Sequence, residues 1–261
     1  MSESGEKLRL GGMALANGLL LHGPSHWAAA VRTRDGELVV ASGVKPRITA
    51  VDRVPGLRGV VRLAEAMVIL PIVRARLPQA RLSFERPGVI AAAAAATGAA
   101  TLARRRLGAF AGEASAALAG LVPAIMALRI GEVAKWHGVE HKAVAAYEQD
   151  SDAAEAAKEH DRCGSNLVAP LLVANVAGAW LARKTLEQPG PLANAAVGLG
   201  SMAIAVEVFA WSERHADTAI AQALRRPGYE IQRIVGTREP DESQLEVGRA
   251  AMAELLELEA A

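Results

Sequence analysis

The sequence predicts a mainly α-helical, multi-pass membrane bundle of about four spans, carrying a small α+β part that includes an N-terminal β-hairpin. Three observations lead there. Hydrophobic residues make up 51% of the 261 positions while aromatics make up only 3%, so the apolar content is largely alanine and favours helix. The centre of the chain holds four apolar stretches, two of them long enough to cross a bilayer unaided. Ahead of them, short apolar runs alternate with glycine-containing turns, a strand-and-turn pattern.

From the N-terminus, "MSESGEKLRLGG" is polar and has no apolar run ending in a small-residue cleavage site, so insertion is expected through internal segments. "GGMALANGLLLHGPSHW" reads as extended backbone with turns, and Asp35-Gly36 between two apolar runs predicts a hairpin. A helix is expected from about Leu57, ended or kinked at Pro71. The apolar stretches follow at 88–103, 114–130, 165–182 and 191–211. A span needs about 17–25 apolar residues; the last two qualify on length, and the first two need tilt or local thinning. With four spans, both ends and the 131–164 connection share one side. Arg74, Arg76, Arg81, Arg86, Lys135, Lys142, Lys158, Arg162, Arg214, Arg225 and Arg226 would lie there, which makes it the cytoplasmic side, against Arg104–Arg106 on the other. Beyond the last stretch, a Pro-Gly turn at Pro227-Gly228, a short strand-like run and a capping box at Ser243 and Glu246 lead into a final helix ending near Glu259.

The formal net charge of +1 supplies no global field for nucleic acid. A single cysteine, Cys163, excludes an internal disulfide and fits a reducing compartment.

The chemistry concentrates in "KWHGVEHKAVAAYE". His137 and His141 stand four apart, on one helix face, with Glu140 between them in the order H-x-x-E-H. Two imidazoles can hold one ion, and a carboxylate beside it can take a proton from water. Downstream, "EHDRCGS" adds His160 and Cys163 as further nitrogen and sulfur donors. Four protein ligands would make a structural zinc site, and three plus water a catalytic one; the spacing leaves both open. Glu148, Asp161 or Glu207 are carboxylates that could complete either. Glu207 is also a candidate for a transport pathway, since a carboxylate inside an apolar stretch faces a bundle interior or cavity. Against this stands the plain alternative of a polar helix with two ordinary histidines, and Gly138 weakens that helix by about 1 kcal/mol relative to alanine. Cys163 also reads as a buried small hydrophobe or a thiol nucleophile. His22, His26 and Trp27 read as turn and hairpin residues able to approach the site, and His215 as a surface residue near a helix end.

Four blocks of the sequence resemble the bacterial YqhQ-like family, a domain of unknown function described as predicted metal-dependent, multi-pass membrane proteins. They are "GGMALANGLLLHGPSHWAAAVRTRDGELVV", "VPGLRGVVRLAEA", the pair "WHGVEHKAVAAYE" and "HDRCGS", and "PGYEIQRIVGTREPDESQLEV". The resemblance implies membrane residence and a metal site, and carries no settled reaction. The sequence departs from the family where Asn17 stands in place of a usual glutamate and Asp161 in place of a usual proline. The connection between Tyr147 and His160 is shortened.

The expected organisation is an N-terminal α+β cytoplasmic segment (1–86), a membrane helical region (87–214) holding the 131–164 connection, and a C-terminal cytoplasmic segment (215–261). The expected ion is Zn2+, the expected partners are membrane lipids and no nucleic acid, and the leading activity is metal-assisted hydrolysis with Glu140 as general base. The rivals are a membrane scaffold or assembly factor with a structural metal, and a transporter component using Glu207.

Overall fold

The computed structural model describes residues 7–48, 57–186 and 189–261; the polar start at 1–6 and the "VPG" at 54–56 lie outside them. The N-terminal segment holds more sheet than one hairpin. Strands β1 (Gly11–Ala14), β2 (Gly18–His22), β3 (His26–Arg32) and β4 (Leu38–Val44) form an antiparallel meander in sequence order. Leu20 pairs with Ala29 and Val31 with Val39 in its register. The Asp35-Gly36 turn joins β3 to β4, with Gly36 at φ 86, where a side chain would be strained.

Both faces of this sheet are covered, which is why β2 and β3 read as continuous apolar runs rather than alternations. One face, Leu19, Leu21, Ala28 and Ala30, packs on helices α5 (Val133–Gln149) and α9 (Glu242–Ala260) through Trp136, Val139, Val247 and Leu255. The other, Leu20, Trp27, Ala29 and Val31, packs on α1 (Leu57–Arg76) through Ile69, Val73 and Leu77. Leu19, Leu21 and Leu255 are fully buried, each contributing about 1.5–3 kcal/mol. This three-layer module thus draws on the beginning, middle and end of the chain.

Three local expectations are corrected. Pro71 lies inside α1, which runs on to Arg76 instead of ending there. Pro227 and Gly228 are not a turn; they fall inside α8 (Ala219–Ile231), and the run after it, Gln232–Gly236, is a π-helical turn rather than a strand. The cap of α9 is Asp241, whose carboxylate accepts from the Gln244 backbone while Gln244 reaches back to the Asp241 N–H. Ser243 instead donates to Asp241, too late in the helix to serve as its cap.

The remaining helices, α2 (Pro87–Arg106), α3 (Ala109–Ala119), α4 (Val122–Arg129), α6 (Val168–Thr185) and α7 (Pro191–Arg214), form the apolar part. α2 packs on α3 and α4, and α6 packs on α7 as a hairpin. Three segments among the described residues are long and apolar enough to cross a membrane: Ala109–Arg129, Gly164–Thr185 and Pro191–Arg214. The count on length and composition is three, where about four were expected. The stretch at 88–103 forms helix α2, but its six-alanine run contributes little transfer energy and Arg104–Arg106 end it. Large apolar side chains on each of the three segments point outward: Phe110 is 62%, Val173 72% and Leu192 84% exposed. An apolar surface of this extent marks contact with lipid or with another protein.

Candidate metal centre

Helix α5 sorts its residues by face. Trp136, Val139, Ala143 and Val144 enter the core with the sheet and α9. His137, Glu140 and His141 lie on another side, and Glu140 and His141 are nonetheless buried. Gly138 is what lets the chain close over this helix. A Cβ there would stand well inside 3.0 Å of the Arg238 carbonyl oxygen. The Arg238 N–H in turn donates to Ala134 O at 2.8 Å. A residue that costs helix propensity is thus required by packing.

His137, His141 and Cys163 bring one ligand atom each to within 4.8 Å of one another. Their supports fix the orientation. His137 Nδ1 lies 2.8 Å from Gly236 O, and His141 Nδ1 lies 2.6 Å from Lys158 O. A carbonyl can only accept, so each Nδ1 carries the proton and each Nε2 is left with a lone pair. Metal-binding histidines use this arrangement, donating one ring N–H to an outer acceptor. Cys163 Sγ sits 3.6 Å from His137 Nε2. Burial, then the neighbouring His137, lowers the His141 pKa to about 3, which keeps the ring neutral and able to ligate. Burial raises the Cys163 thiol, opposed by hydrogen bonds from Ser165, so without a cation it stays protonated. Two neutral imidazoles and a thiol form a donor set suited to a borderline-soft divalent ion such as zinc.

Glu140 borders the triad, its Oε2 3.5 Å from His141 Nε2 and 4.0 Å from His137 Nε2. Burial raises its pKa to about 7, with His137 pulling it down and Cys163 pushing it up. The backbone of β1 presses against it: a Cβ on Gly12 would stand 2.6 Å from Glu140 Cγ and 2.7 Å from Oε1. Next to His141, Lys142 is buried and donates to the Ala154 and Ala156 carbonyls at 3.1 and 2.8 Å, holding the 152–158 segment that supplies Lys158 O.

The other candidate residues fall elsewhere. His160 stands beside His141, ring centroids 5.8 Å apart, but both its nitrogens are engaged. Nδ1 accepts from the Arg162 N–H, and Nε2 donates to Glu148 at 3.2 Å. Glu148 also pairs with Arg162. Asp161 is exposed near Arg225. Glu207 is half-buried on α7, next to Val206, which packs on Gly59 of α1. His22 lies against Lys45, His26 against Ser25, and His215 is exposed and stacked on Trp211. Asn17 commits its polar atoms to the backbone, donating to Arg32 O and Gln79 O and accepting from the Arg81 N–H. A glutamate there could not donate to those two carbonyls.

Sequence reasoning missed the supports, Gly236 O, Lys158 O and Gln232. Gln232 is fully buried; it accepts from the His160 N–H at 2.8 Å and donates to His160 O and Ser165 Oγ. Its place in a strand-like run hides that role. A π-turn beside a cluster of ligand-type side chains is a recurring functional device.

Comparison with curated proteins and with solved structures returns no match. A family described as "Protein of unknown function (DUF1385)" matches residues 120–258, a range that contains His137, Glu140, His141, Cys163 and their supports. That range is more than half of the chain, and the protein therefore belongs to the DUF1385 family.

Proposed function

We propose that this is a multi-pass membrane protein whose cytoplasmic module holds a divalent metal, best suited to Zn2+, and performs metal-assisted hydrolysis. The observation that carries the reading is the convergence of three donors with a buried carboxylate alongside. Because His160 is engaged with Glu148 and Arg162, three protein ligands with an open position fit better than a closed structural site. A metal held there would polarise a substrate and bring the pKa of a water toward about 7. Glu140, buried alongside the donors, takes a proton from the attacking water and returns it to the leaving group. His137 and His141 hold their tautomers through Gly236 O and Lys158 O.

Membrane residence is supported by the three outward-facing apolar segments. Because the sheet, α5 and α9 share one core, they sit on one side of a bilayer. The α6–α7 hairpin crosses twice and satisfies this. The segment Ala109–Arg129 needs a returning partner, and α2, 20 residues long and packed on α3 and α4, fits that role as a fourth span. The basic residues near the module ends favour the cytoplasm for that side.

Two results test this. The chain is expected in the membrane fraction, released by detergent; a monodisperse monomer in plain buffer would sink the membrane reading. Cys163 is too buried to report sidedness, so exposed positions serve instead. Glu257→Cys should resist an impermeant thiol reagent in intact cells and react after permeabilisation, while Arg106→Cys should react at once. The opposite pattern reverses the topology. For the chemistry, Glu140→Gln should keep its metal and lose turnover by about 100-fold or more. Metal loss in that variant would make Glu140 a ligand instead.

A further inference from the structure

His137 and Cys163 lie on the wall of a cavity of about 450 Å3, within the range of small-molecule sites. The rest of that wall is almost wholly apolar. β1 contributes Met13, α1 contributes Met67 and Leu70, and Leu82, Phe84 and Leu128 complete it. Ser83 and Ser165 are its other polar side chains, and no lysine, arginine, aspartate or glutamate lines it among the described residues. Such a wall gives no purchase to a sugar, a nucleotide or a multiply charged anion. It fits a hydrocarbon group whose one polar bond lies at the end next to His137 and Cys163.

Its position says where that group comes from. Leu128 belongs to the last turn of Ala109–Arg129, a segment apolar and long enough to span. Met67 and Phe84, 43% and 56% exposed, stand at the margin of the cavity as large apolar side chains facing outward. The cavity wall therefore joins the end of a candidate span, these two outward-facing residues and two of the three clustered donors, His137 and Cys163.

We propose that this cavity binds the acyl chain of a membrane lipid, placing the polar linkage at the head of that chain beside His137 and Cys163. This deepens the reading of the site given above and rests on it for membrane residence, but not for the identity of the metal.

The test is photolabelling in lipid nanodiscs with a phospholipid bearing a diazirine on one acyl chain close to its ester linkage, mapped by mass spectrometry. Label is expected on the peptide containing Met13 and Leu15. Leu15 is 1% exposed and belongs to the sheet module, so bulk bilayer contact does not reach it. Label on Leu192 and Leu199 of α7 serves as the internal control for bilayer contact. Met67→Trp, which narrows the cavity, should lower labelling of the Met13–Leu15 peptide about tenfold, the factor carried by roughly two buried methylenes, and leave α7 labelling unchanged. A free fatty acid carrying the same group that labels Met13–Leu15 while the phospholipid does not would overturn the lipid as occupant. Strong label on α7 with none at Met13–Leu15, or a Met67→Trp variant that labels like the parent, overturns the cavity. Absence of label on both removes the membrane reading and the inference with it. Metal content measured on the same samples separates the two ideas: His141→Ala should lose metal and keep the Met13–Leu15 label.

Discussion

His141→Ala is expected to leave the purified protein without its divalent metal, while the parent carries about one ion per chain. The affinity loss should exceed the roughly 10–100-fold that follows from removing an outer hydrogen-bond partner, because a ligand itself is gone. His141 is the most committed of the three donors: 2% exposed, its Nδ1 fixed on Lys158 O, its neighbours Glu140 and Lys142 buried with it. Cys163→Ser should act the same way, since a hydroxyl replaces the thiolate that favours zinc. Elemental analysis after dialysis against a weak chelator reads both. His160→Gln is the control, expected to retain metal because the ring it replaces is held by Glu148 and the Arg162 backbone. If the control loses metal as fully as His141→Ala, His160 belongs to the ligand set.

Gly138→Ala is expected to destabilise the fold by about 2 kcal/mol. Helix propensity alone argues the opposite sign, a gain of about 1 kcal/mol for alanine. Packing decides it. The added methyl would meet the Arg238 carbonyl, a backbone atom that cannot swing aside as a side chain would. Overpacking of this kind costs about 1–3 kcal/mol. Displacing Arg238 also breaks its hydrogen bond to Ala134 O, a further loss of about 1 kcal/mol. Arg238 is two residues from Gly236, whose carbonyl orients His137, so metal affinity should fall together with thermal stability. Denaturation of the detergent-solubilised protein, with and without added zinc, measures both. An unchanged or raised midpoint would mean that the 237–240 segment does not press on α5.

These two residues also mark how far the sequence can be read. The i,i+4 spacing of His137 and His141 is a local property of a helix, so their common face is legible in the residues alone. That Cys163 rather than His160 joins them is not. The choice depends on Glu148, Arg162 and Gln232, which meet His160 only after the chain has folded back. The apolar stretches and the Asp35-Gly36 hairpin are legible for the same reason, being set by composition and turn chemistry over a few residues. The sheet beyond that hairpin is harder. Its strands are covered on both faces, so the alternation that usually announces a strand is missing from "GLLLH" and "WAAAV". The run "QRIVG" misleads in the opposite direction: it looks strand-like in composition but forms a π-turn, from which Gln232 meets the His160 loop and Gly236 O meets His137. Gly138 reads as a flaw in a helix because its partner, Arg238, lies 100 positions away.

The covering of one sheet by α5 and α9 fixes the order in which this protein can be made. Leu19 and Leu255, which share a core, are 236 positions apart. At a synthesis rate of roughly 5–20 residues per second, the ribosome needs on the order of 10–50 s to travel between them. For that interval the leucines of β2 lack part of their native cover on one face, since α5 is made midway but α9 arrives only after all the apolar helices. Gly236, which aims the His137 ring, is also delivered late. The nascent chain thus displays two histidines and a cysteine before it can arrange them, so the cluster able to hold an ion is assembled only in the closing moments of biogenesis.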